Sequence, residues 1–256
     1  MVFLHNNHKR FVIMKSLLSL VAITAMLIGS QAMAIDADKL AQALASPDRS
    51  AADKELDAAR KPVQVLTFLG LKEGMTALDI MSGGGWYTEV LSRAVGPNGK
   101  VYMQNGPASL ARGNTAETVQ NRLQGRLNNV QRIDKDIADL GLAPDSVDFA
   151  ITNLNFHDIY NSNPAAAQAM LQAVKTVLKP GGVFAIIDHA GNVGADNASL
   201  HRIPKSVVVV AAREAGLTIV DAGSSILHVP SDDHTKPQFA EELGRTTDRF
   251  IVKLSK

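Results

Sequence analysis

Polar side chains that can bind a ligand or move a proton stand where five successive predicted strands end. They are residues 79–85 after the first strand, 104–105 after the second, 136–137 after the third, 153–158 after the fourth and 188–189 after the fifth. In an open α/β sheet, ligands bind beyond the carboxyl ends of the strands. We therefore expect these five segments to meet at one cleft, and the set carries more weight than any single member.

Proton transfer is the chemistry that His157 and Asp158 indicate, just after the fourth strand. An imidazole titrates near neutral pH and can accept a proton, and a neighbouring carboxylate can orient such a base. We predict that both residues are catalytic and that His157 is the base. The alternative is a loop residue that closes the start of a helix. For Asp188 and His189, after the fifth strand, the alternative is a solvated strand end.

Further His and Asp residues are candidates for the substrate side of the same cleft. They are His201, Asp232, Asp233 and His234. A set of His and Asp residues can also bind a metal ion, but the sequence lacks the close ligand spacing of known metal-binding motifs. We therefore predict no metal.

A glycine turn joins the first strand to the helix that follows it. Asp79 closes an apolar run, glycines stand at 83–85, and a helical apolar pattern starts at Trp86 and Tyr87. Glycine lets the backbone turn sharply and approach a ligand closely, and the helix start offers free N–H groups. This order is typical of a nucleotide-binding unit. In the alternative, Asp79 only caps the turn and the glycines only allow close strand–helix packing.

Strands and helices alternate along the rest of the chain, which predicts a mostly parallel sheet covered by helices. The strands are predicted at 76–81, 100–104, 130–133, 147–152, 183–188, 217–222 and 249–254, and the main helices at 86–94, 107–127, 165–178 and 203–215. Lys-Pro-Gly-Gly at 179–182 is expected to end the third of these helices. The last two strands lack a clear helix between them, so we expect an antiparallel edge.

Residues 1–34 have the pattern of a signal peptide. Lys9, Arg10 and Lys15 precede an apolar run at 17–28, and Ala-Met-Ala at 32–34 forms a small-x-small cleavage site. The alternative, a transmembrane anchor, is less favoured because the run is short and a cleavage motif follows it. The protein is therefore expected to be exported, either periplasmic or secreted, with no stable membrane insertion after cleavage.

The remaining chain is expected to hold a helical extension at 35–70 and a larger domain at 71–256. The extension has three helical patterns, and its Arg49, Asp57, Arg60 and Lys61 are placed to close over the cleft. Loss of the segment 1–34 leaves 23 Lys and Arg residues against 25 Asp and Glu residues, a formal charge of about −2. Because the sequence has no basic stripe, nucleic-acid binding is not expected. The expected substrate is a small molecule. The chain has no Cys, so disulfides are excluded.

Several short motifs recur in the order of one known family. They are Ala-Leu-Asp at 77–79, the glycine turn, Tyr-Thr at 87–88, Gly-Lys-Val-Tyr at 99–102 and Lys-Pro-Gly-Gly at 179–182. Together they resemble the class I S-adenosylmethionine-dependent methyltransferase family over about residues 62–190. Gly-Gly-Gly-Trp-Tyr-Thr-Glu-Val-Leu at 83–91, His157-Asp158 and Thr-Asp-Arg-Phe at 247–250 resemble a narrower set of exported bacterial predicted methyltransferases. The resemblance implies a Rossmann-like, seven-stranded, mostly parallel sheet whose last strand is antiparallel, with helices on both faces.

The resemblance also implies S-adenosylmethionine as cofactor and assigns residues to it. The cofactor-binding residues would be Asp79, Gly83, Gly84, Gly85, Tyr87, Thr88, Asn105, Asp136, Ile137 and Asn153. The glycine turn would cradle the methionine portion, Asp136 would accept from the adenine amino group, and Ile137 would pack on the ring. For Asn105 a turn residue is the alternative, and for Asp136 a helix cap.

Two positions depart from the family pattern. Met81 stands at the first glycine of Asp-x-Gly-x-Gly-x-Gly, and Asn105 stands where the family has an acid that holds both ribose hydroxyls. The main hypothesis is a methyltransferase that acts on an unidentified small molecule or other acceptor. The alternative is a non-catalytic ligand-binding protein on a degenerate methyltransferase scaffold. A nicotinamide-dependent oxidoreductase is disfavoured, because the third fingerprint glycine and the acid are both missing.

Overall fold

The computed structural model describes residues 1–2, 35–244 and 246–256. The predicted signal peptide therefore lies, apart from its first two residues, outside the described part. Within the described ranges, none of the helices combines the length and the apolar character that crossing a membrane requires. The described residues from 35 onward form one compact unit, and the fold is described for that unit.

A seven-stranded sheet forms the centre of this unit, in the order β3-β2-β1-β4-β5-β7-β6. The strands are β1 (Thr76–Ile80), β2 (Lys100–Gln104), β3 (Val130–Ile133), β4 (Val147–Asn153), β5 (Leu178–His189), β6 (Thr218–Asp221) and β7 (Arg249–Ser255). The first five strands pair in parallel, and β7 runs antiparallel to both of its neighbours. The predicted mostly parallel sheet with an antiparallel last strand is confirmed, although β6 rather than β7 forms the edge.

Helices cover both faces of the sheet, as predicted. They are α1 (Ala37–Ala45), α2 (Ala51–Arg60), α3 (Pro62–Leu69), α4 (Trp86–Val95), α5 (Pro107–Leu110), α6 (Thr115–Leu123), α7 (Phe156–Ser162), α8 (Pro164–Val177), α9 (Asn197–Leu200) and α10 (Lys205–Glu214). Successive residues of β1 point to opposite faces. Leu78 therefore packs in a core with α8 and α10, and Ala77 packs in a second core with α1, α3 and α4.

The N-terminal helical layer shares its core with the sheet. Leu40 of α1 and Leu66 of α3 are buried in the same cluster as Ala77. Each helix has a local start signal: Asp36 caps α1, Ser50 caps α2, and Pro62 opens α3. Truncation of a fully buried leucine to alanine costs about 2–5 kcal/mol. The layer therefore contributes directly to the stability of the unit.

Two local predictions were incomplete. Helix α8 ends at Val177, just before Lys-Pro-Gly-Gly at 179–182 as expected, but β5 begins at Leu178, which pairs with Val147, and not at 183. The ladder shifts register between Val147 and Phe149, and Gly181 adopts a φ of 75°, so the motif forms an irregular start of the strand. Helix α7 is absent from the predicted helices, and the polar segment at 153–158 enters its first turn.

Candidate cofactor and acceptor site

The glycine turn after β1 has three residues in the left-handed region of backbone conformation. They are Met81 (φ 52°), Gly83 (φ 53°) and Gly85 (φ 81°). Gly85 has no room for a side chain, since a Cβ there would lie 2.7 Å from Met103 Cε. Met81 keeps the conformation that a glycine adopts freely, and this conformation costs an L-residue about 1–2 kcal/mol. The departure at Met81 therefore preserves the path of the turn.

The end of β2 fixes this turn through side-chain hydrogen bonds. Asn105 Oδ1 accepts from the backbone N–H of Gly83 at 2.9 Å, and Asn105 Nδ2 donates to Ser82 Oγ at 2.8 Å and to the Gly83 carbonyl at 3.1 Å. Gln104 Oε1 accepts from the N–H of Met81 at 2.9 Å. Asn105 is almost completely buried. Its amide is thus engaged by the turn, which is the turn-residue alternative considered for it.

A cavity of about 400 Å³ lies against the glycine turn. It is lined by Asp53, Leu56, Arg60, Asp79, Met81, Ser82, Gly83, Gly84, Trp86, Tyr87, Arg122, Asn153, Leu154 and Asn155. Gly83 borders open space, since a Cβ built there would meet no atom within 4 Å. Met81 lines the cavity and also packs on the core.

Asp79 provides a carboxyl group at the inner wall of the cavity. It is almost completely buried, and Thr88 Oγ1 donates to its Oδ2 at 2.6 Å. Burial raises the pKa of Asp79 to about 7, although the Thr88 hydrogen bond and the charge of Arg60 act in the opposite direction. The group therefore titrates in the physiological range. Thr88 itself is fully buried and orients Asp79 from behind the wall.

Arg60 and Tyr87 both line the cavity, where Arg60 contributes a cation. The Arg60 guanidinium lies over the Trp86 ring, 4.6 Å from its centroid, and Trp86 Nε1 donates to the Asp53 carbonyl at 2.9 Å. The Tyr87 hydroxyl is buried and has no hydrogen-bond partner among the described residues. A buried polar atom that stays unpartnered is costly, so the Tyr87 hydroxyl is an unsatisfied group inside the wall of the cavity.

Arg122 of α6 connects the glycine turn to the helical layer. Its Nε donates to the Gly84 carbonyl, its guanidinium pairs with Asp53 of α2 at 2.7 Å, and it pairs with Glu89 of α4 at 2.7 Å. Glu89 is fully buried and also binds Arg93 and Arg126. This network was missed in the sequence, because its members lie far apart in the chain and no local pattern links them.

The structure gathers about half of the predicted cofactor-binding residues at the cavity wall. Asp79, Gly83, Gly84, Tyr87 and Asn153 line it. Gly85, Thr88 and Asn105 are not among its lining residues and instead support the turn and Asp79 through the contacts described above. Asp136 and Ile137 do not line it either: Asp136 is exposed beside Gly106, and Ile137 packs on the core.

A second group of polar side chains lies after β4 and β5, around His157. Its Nδ1 contacts Asp188 Oδ1 at 2.7 Å, and its backbone N–H donates to Asp188 Oδ2 at 2.7 Å. Its Nε2 lies 3.1 Å from Asp158 Oδ1, and His201 Nδ1 lies 2.9 Å from the same oxygen. His201, predicted on the substrate side, therefore joins both predicted catalytic residues. None of these side chains lines the cavity at the glycine turn.

The two carboxylates control the protonation of His157. Burial opposes the charged imidazolium, but the hydrogen bonds that Asp158 and Asp188 accept from it outweigh burial and raise the pKa of His157 to about 9. The hydrogen bond with His157 in turn lowers the pKa of Asp158. The base role of His157 stays a prediction. In this arrangement both ring nitrogens already contact carboxylates, so the cluster must lose a proton before the imidazole can accept one.

The other candidate residues have structural contacts. His189 Nδ1 lies 2.7 Å from Thr247 Oγ1, and burial, followed by the charge of Arg249, lowers the pKa of His189 to about 2. Asp232 is fully buried in an ion pair with Arg202 at 2.7 Å. Three further residues remain outside the His157 cluster: Asp233 is exposed and binds Thr235, His234 contacts Asp248 at 3.2 Å, and Lys61 donates to the Ile226 carbonyl.

Comparison with known proteins assigns the chain to a family. A family profile described as "Methyltransferase domain" matches residues 71–234, which is more than half of the chain. A solved S-adenosylmethionine-dependent methyltransferase from Aquifex aeolicus is 26% identical, with a TM-score of 0.58 over 86% of this chain and 97% of that chain. The chain belongs to the methyltransferase-domain family, and the class predicted from its motifs is confirmed at the level of family and fold.

Two more distant structures share the fold alone. An S-adenosylmethionine-dependent methyltransferase from Mesorhizobium loti is 17% identical, with a TM-score of 0.52 over 81% of this chain and 99% of that chain. The cyclase SpnF is also 17% identical, with a TM-score of 0.56 over 85% and 91%. The family assignment supports S-adenosylmethionine as the cofactor. Because a cyclase has the same fold, the reaction has to be argued from the site.

Proposed function

We propose that this protein transfers the methyl group of S-adenosylmethionine to a small-molecule acceptor. The cavity at the glycine turn is the observation that carries this proposal. It combines an open glycine backbone at Gly83, a buried carboxyl at Asp79 and a cation at Arg60. These groups fit a ligand that carries both a carboxylate and an ammonium group on an otherwise neutral body.

Each polar group of the cavity has a complementary part of the cofactor. The Arg60 guanidinium would hold the amino-acid carboxylate, since a planar guanidinium matches carboxylate geometry. The Asp79 carboxylate would accept from the ammonium group, and Gly83 and Gly84 let the backbone approach the ligand. The bound cofactor supplies an electrophilic methyl group on a sulfonium. The protein's part is then to position an acceptor in line with that methyl group.

The acceptor would approach along the carboxyl ends of β4 and β5, where His157, Asp158 and His201 lie together. Asp158 and His201 are the exposed members of this cluster, and they can hydrogen-bond a polar acceptor. An oxygen or nitrogen acceptor that loses a proton fits such a polar surface better than a carbon acceptor does. The acceptor class is therefore an exchangeable O–H or N–H group on a small molecule.

Calorimetric titration with S-adenosylmethionine and S-adenosylhomocysteine tests the cofactor part of the proposal. Saturable one-to-one binding is expected, and Asp79→Ala should lose it while the exposed Glu55→Ala keeps it. Methyl transfer is then measured as formation of S-adenosylhomocysteine over a panel of small hydroxyl and amine acceptors. Absence of binding up to millimolar ligand would overturn the proposal.

The non-catalytic alternative predicts a different result in the same experiment. A binding protein on this scaffold would retain S-adenosylhomocysteine as tightly as S-adenosylmethionine and would form no product with any acceptor in the panel. Met81, which stands where the family has a glycine, is one of the residues that line this cavity.

We also propose that the protein is exported, which rests on the basic, apolar and small-residue segments of residues 1–34. Intact-mass measurement of the protein from the periplasmic fraction of an expressing bacterium tests this. A chain that begins at Ile35 is expected. A chain that stays in the cytoplasmic fraction with residues 1–34 attached would contradict it.

A further inference from the structure

Three metal-ligating side chains converge after β4. His157, Asp158 and His201 each offer one ligand atom, and these atoms all lie within 4.8 Å of one another. Two of these pairs are closer still, with Asp158 Oδ1 3.1 Å from His157 Nε2 and 2.9 Å from His201 Nδ1. Two imidazole nitrogens and a carboxylate oxygen this close together match the spacing of ligands around one small divalent ion.

Asp188 orients the most deeply buried of these ligands. It contacts His157 Nδ1 at 2.7 Å and also accepts from the backbone N–H of the same residue at 2.7 Å. This leaves Nε2 as the nitrogen of His157 that faces the cluster. A carboxylate on the far nitrogen of a histidine is the usual outer contact of a metal ligand, because it fixes the tautomer and the ring orientation.

The cluster is buried on one side and open on the other. The His157 side chain is 3% exposed, whereas the side chains of His201 and Asp158 are 42% and 53% exposed. His201 adopts a left-handed backbone conformation, φ 50°, at the end of α9, and its ring packs against Phe239 at 5.3 Å. A strained residue whose ring is held by packing is typical of a preorganised functional position.

We propose that His157, Asp158 and His201 bind one divalent transition-metal ion, with Zn²⁺ as the best-fitting member of that class. Two imidazoles and one carboxylate suit Zn²⁺ and its neighbours, whereas Mg²⁺ and Ca²⁺ prefer oxygen ligands. Three protein ligands with a solvent-facing side leave a coordination position for water or for another molecule. The inference concerns metal binding alone and stands independently of methyl transfer.

Two observations separate a metal site from a hydrogen-bonded cluster of charged side chains. Both imidazoles contact the same oxygen of Asp158, and all three ligand atoms lie within 4.8 Å of one another, so one ion can reach them together. The two ligands from α7 are adjacent in sequence, and His201 reaches them from the end of α9. Sequence spacing therefore gave no metal motif, and only the fold brings the third ligand near.

Titration of metal-free full-length protein with Co²⁺ and Zn²⁺ tests the site. One equivalent of Co²⁺ should bind and give the visible absorption bands of a low-coordinate site with nitrogen and oxygen ligands. Zn²⁺ should displace the Co²⁺ and abolish these bands. His201→Ala and Asp158→Asn should each lose the bands, and both residues are exposed enough for the variants to fold. His228→Ala is the matched control, because His228 pairs with Asp248 outside the cluster and should keep one equivalent.

Asp188→Asn tests the orienting contact. Loss of such an outer contact lowers metal affinity by about 10–100-fold, so one equivalent should still bind but more weakly. Circular dichroism of each variant shows whether it is folded. Micromolar Co²⁺ that leaves the wild-type spectrum unchanged, or equal binding by wild type and His201→Ala, would overturn the site. Binding of S-adenosylmethionine is measured separately, by calorimetry in a chelating buffer that removes metal ions. Failure of the metal site can therefore be distinguished from failure of the proposed function.

Discussion

Asn105 at the end of β2 binds the glycine turn after β1: its Oδ1 accepts from the Gly83 N–H at 2.9 Å, and its Nδ2 donates to the Gly83 carbonyl at 3.1 Å. A carboxylate at this position could accept from Gly83 but could not donate to its carbonyl. The departure from the family's usual acid therefore has a structural role. The Asn105 amide replaces a carboxylate at the strand end, and it can hydrogen-bond both the N–H and the carbonyl of Gly83.

We expect Asn105→Asp to destabilise the protein. The variant keeps the acceptor for the Gly83 N–H but places a negative oxygen against the Gly83 carbonyl, and it leaves Ser82 Oγ without its donor. A buried polar group that loses its partner costs about 1–3 kcal/mol. Urea unfolding monitored by circular dichroism measures this loss.

Asn128→Asp is the control for Asn105→Asp, because Asn128 is exposed and the same added charge should change the unfolding free energy little. If Asn105→Asp were as stable as the wild type and bound S-adenosylmethionine more tightly, the locking role of Asn105 would be wrong. The ribose role implied by the resemblance would then be the better account.

Asp79 should make stability depend on pH. Its pKa in the folded protein is about 7, raised by burial, against about 4 in an unfolded chain. Between these values the native state binds one proton more than the unfolded state, so the free energy of unfolding falls as pH rises through this window. The contribution is fully present at low pH and is lost by about pH 7. Denaturation at a series of pH values measures it.

Asp79→Asn removes this titration while keeping the shape of the side chain and the acceptor for Thr88 Oγ1. Its stability relative to wild type should therefore rise between about pH 5 and pH 8, by an amount on the order of a few kcal/mol. Asp233→Asn at an exposed position serves for comparison. A constant difference between Asp79→Asn and wild type across this range would show that Asp79 does not titrate there.

Arg60→Ala should weaken binding of ligands that carry the amino-acid carboxylate. A hydrogen bond to a charged group contributes about 1.5–3 kcal/mol, which corresponds to roughly 10–100-fold in the dissociation constant of S-adenosylhomocysteine. Methylthioadenosine lacks that carboxylate, so its affinity should stay the same. Calorimetry with both ligands separates this role from general damage to the cavity.

Arg213→Ala, on the exposed side of α10, is the control for the loss of one arginine. If Arg60→Ala lost the same affinity for S-adenosylhomocysteine and for methylthioadenosine, binding of the ligand carboxylate by Arg60 would be contradicted. Such a result would instead mean that Arg60 acts by holding the Trp86 ring, over which its guanidinium lies.

The sequence predicted the sheet well because each strand carries its own signal. The apolar run at β1, the glycine turn and the helix start at Trp86 are local features, and the structure places all three where expected. The antiparallel last strand followed both from the missing helix between the last two strands and from the family resemblance. The predicted start of β5 at 183 was too late, because pairing of Leu178 with Val147 overrides the turn-forming residues of Lys-Pro-Gly-Gly.

The site was less predictable, because its contacts join distant residues. No local pattern indicates that Asn105 binds Gly83, or that His201 meets Asp158. Helix α7, by contrast, has a local sequence signal in the spacing of its apolar residues. Phe156, Ile159 and Tyr160 have the i, i+3, i+4 spacing of a helix, and the Phe156 and Tyr160 rings stack with centroids 6.0 Å apart.

Met81→Ile should destabilise the protein more than the same change elsewhere. Met81 has a φ of 52°, and a β-branched residue tolerates this region poorly. We expect a cost of about 1–2 kcal/mol in the free energy of unfolding. Met75→Ile is the matched control, because Met75 is also half-buried but has no positive φ. Equal stability of the two variants would show that Met81 is unstrained.

Arg122→Lys should be nearly as harmful as Arg122→Ala. The guanidinium binds the Gly84 carbonyl, Asp53 and Glu89 at once, and a single ammonium cannot reproduce this fork. Removal of one partner from a buried ion pair costs about 3–5 kcal/mol, and Glu89 keeps Arg93 and Arg126, so the lower end is expected.

Urea unfolding of both Arg122 variants measures this cost, with Arg112→Lys at an exposed position as the control. Because Arg122 joins α2 to the glycine turn, both variants should also bind S-adenosylhomocysteine more weakly. Full stability of Arg122→Lys together with normal binding would mean that the charge alone matters. In that case the fork would not be what holds the helical layer over the cavity.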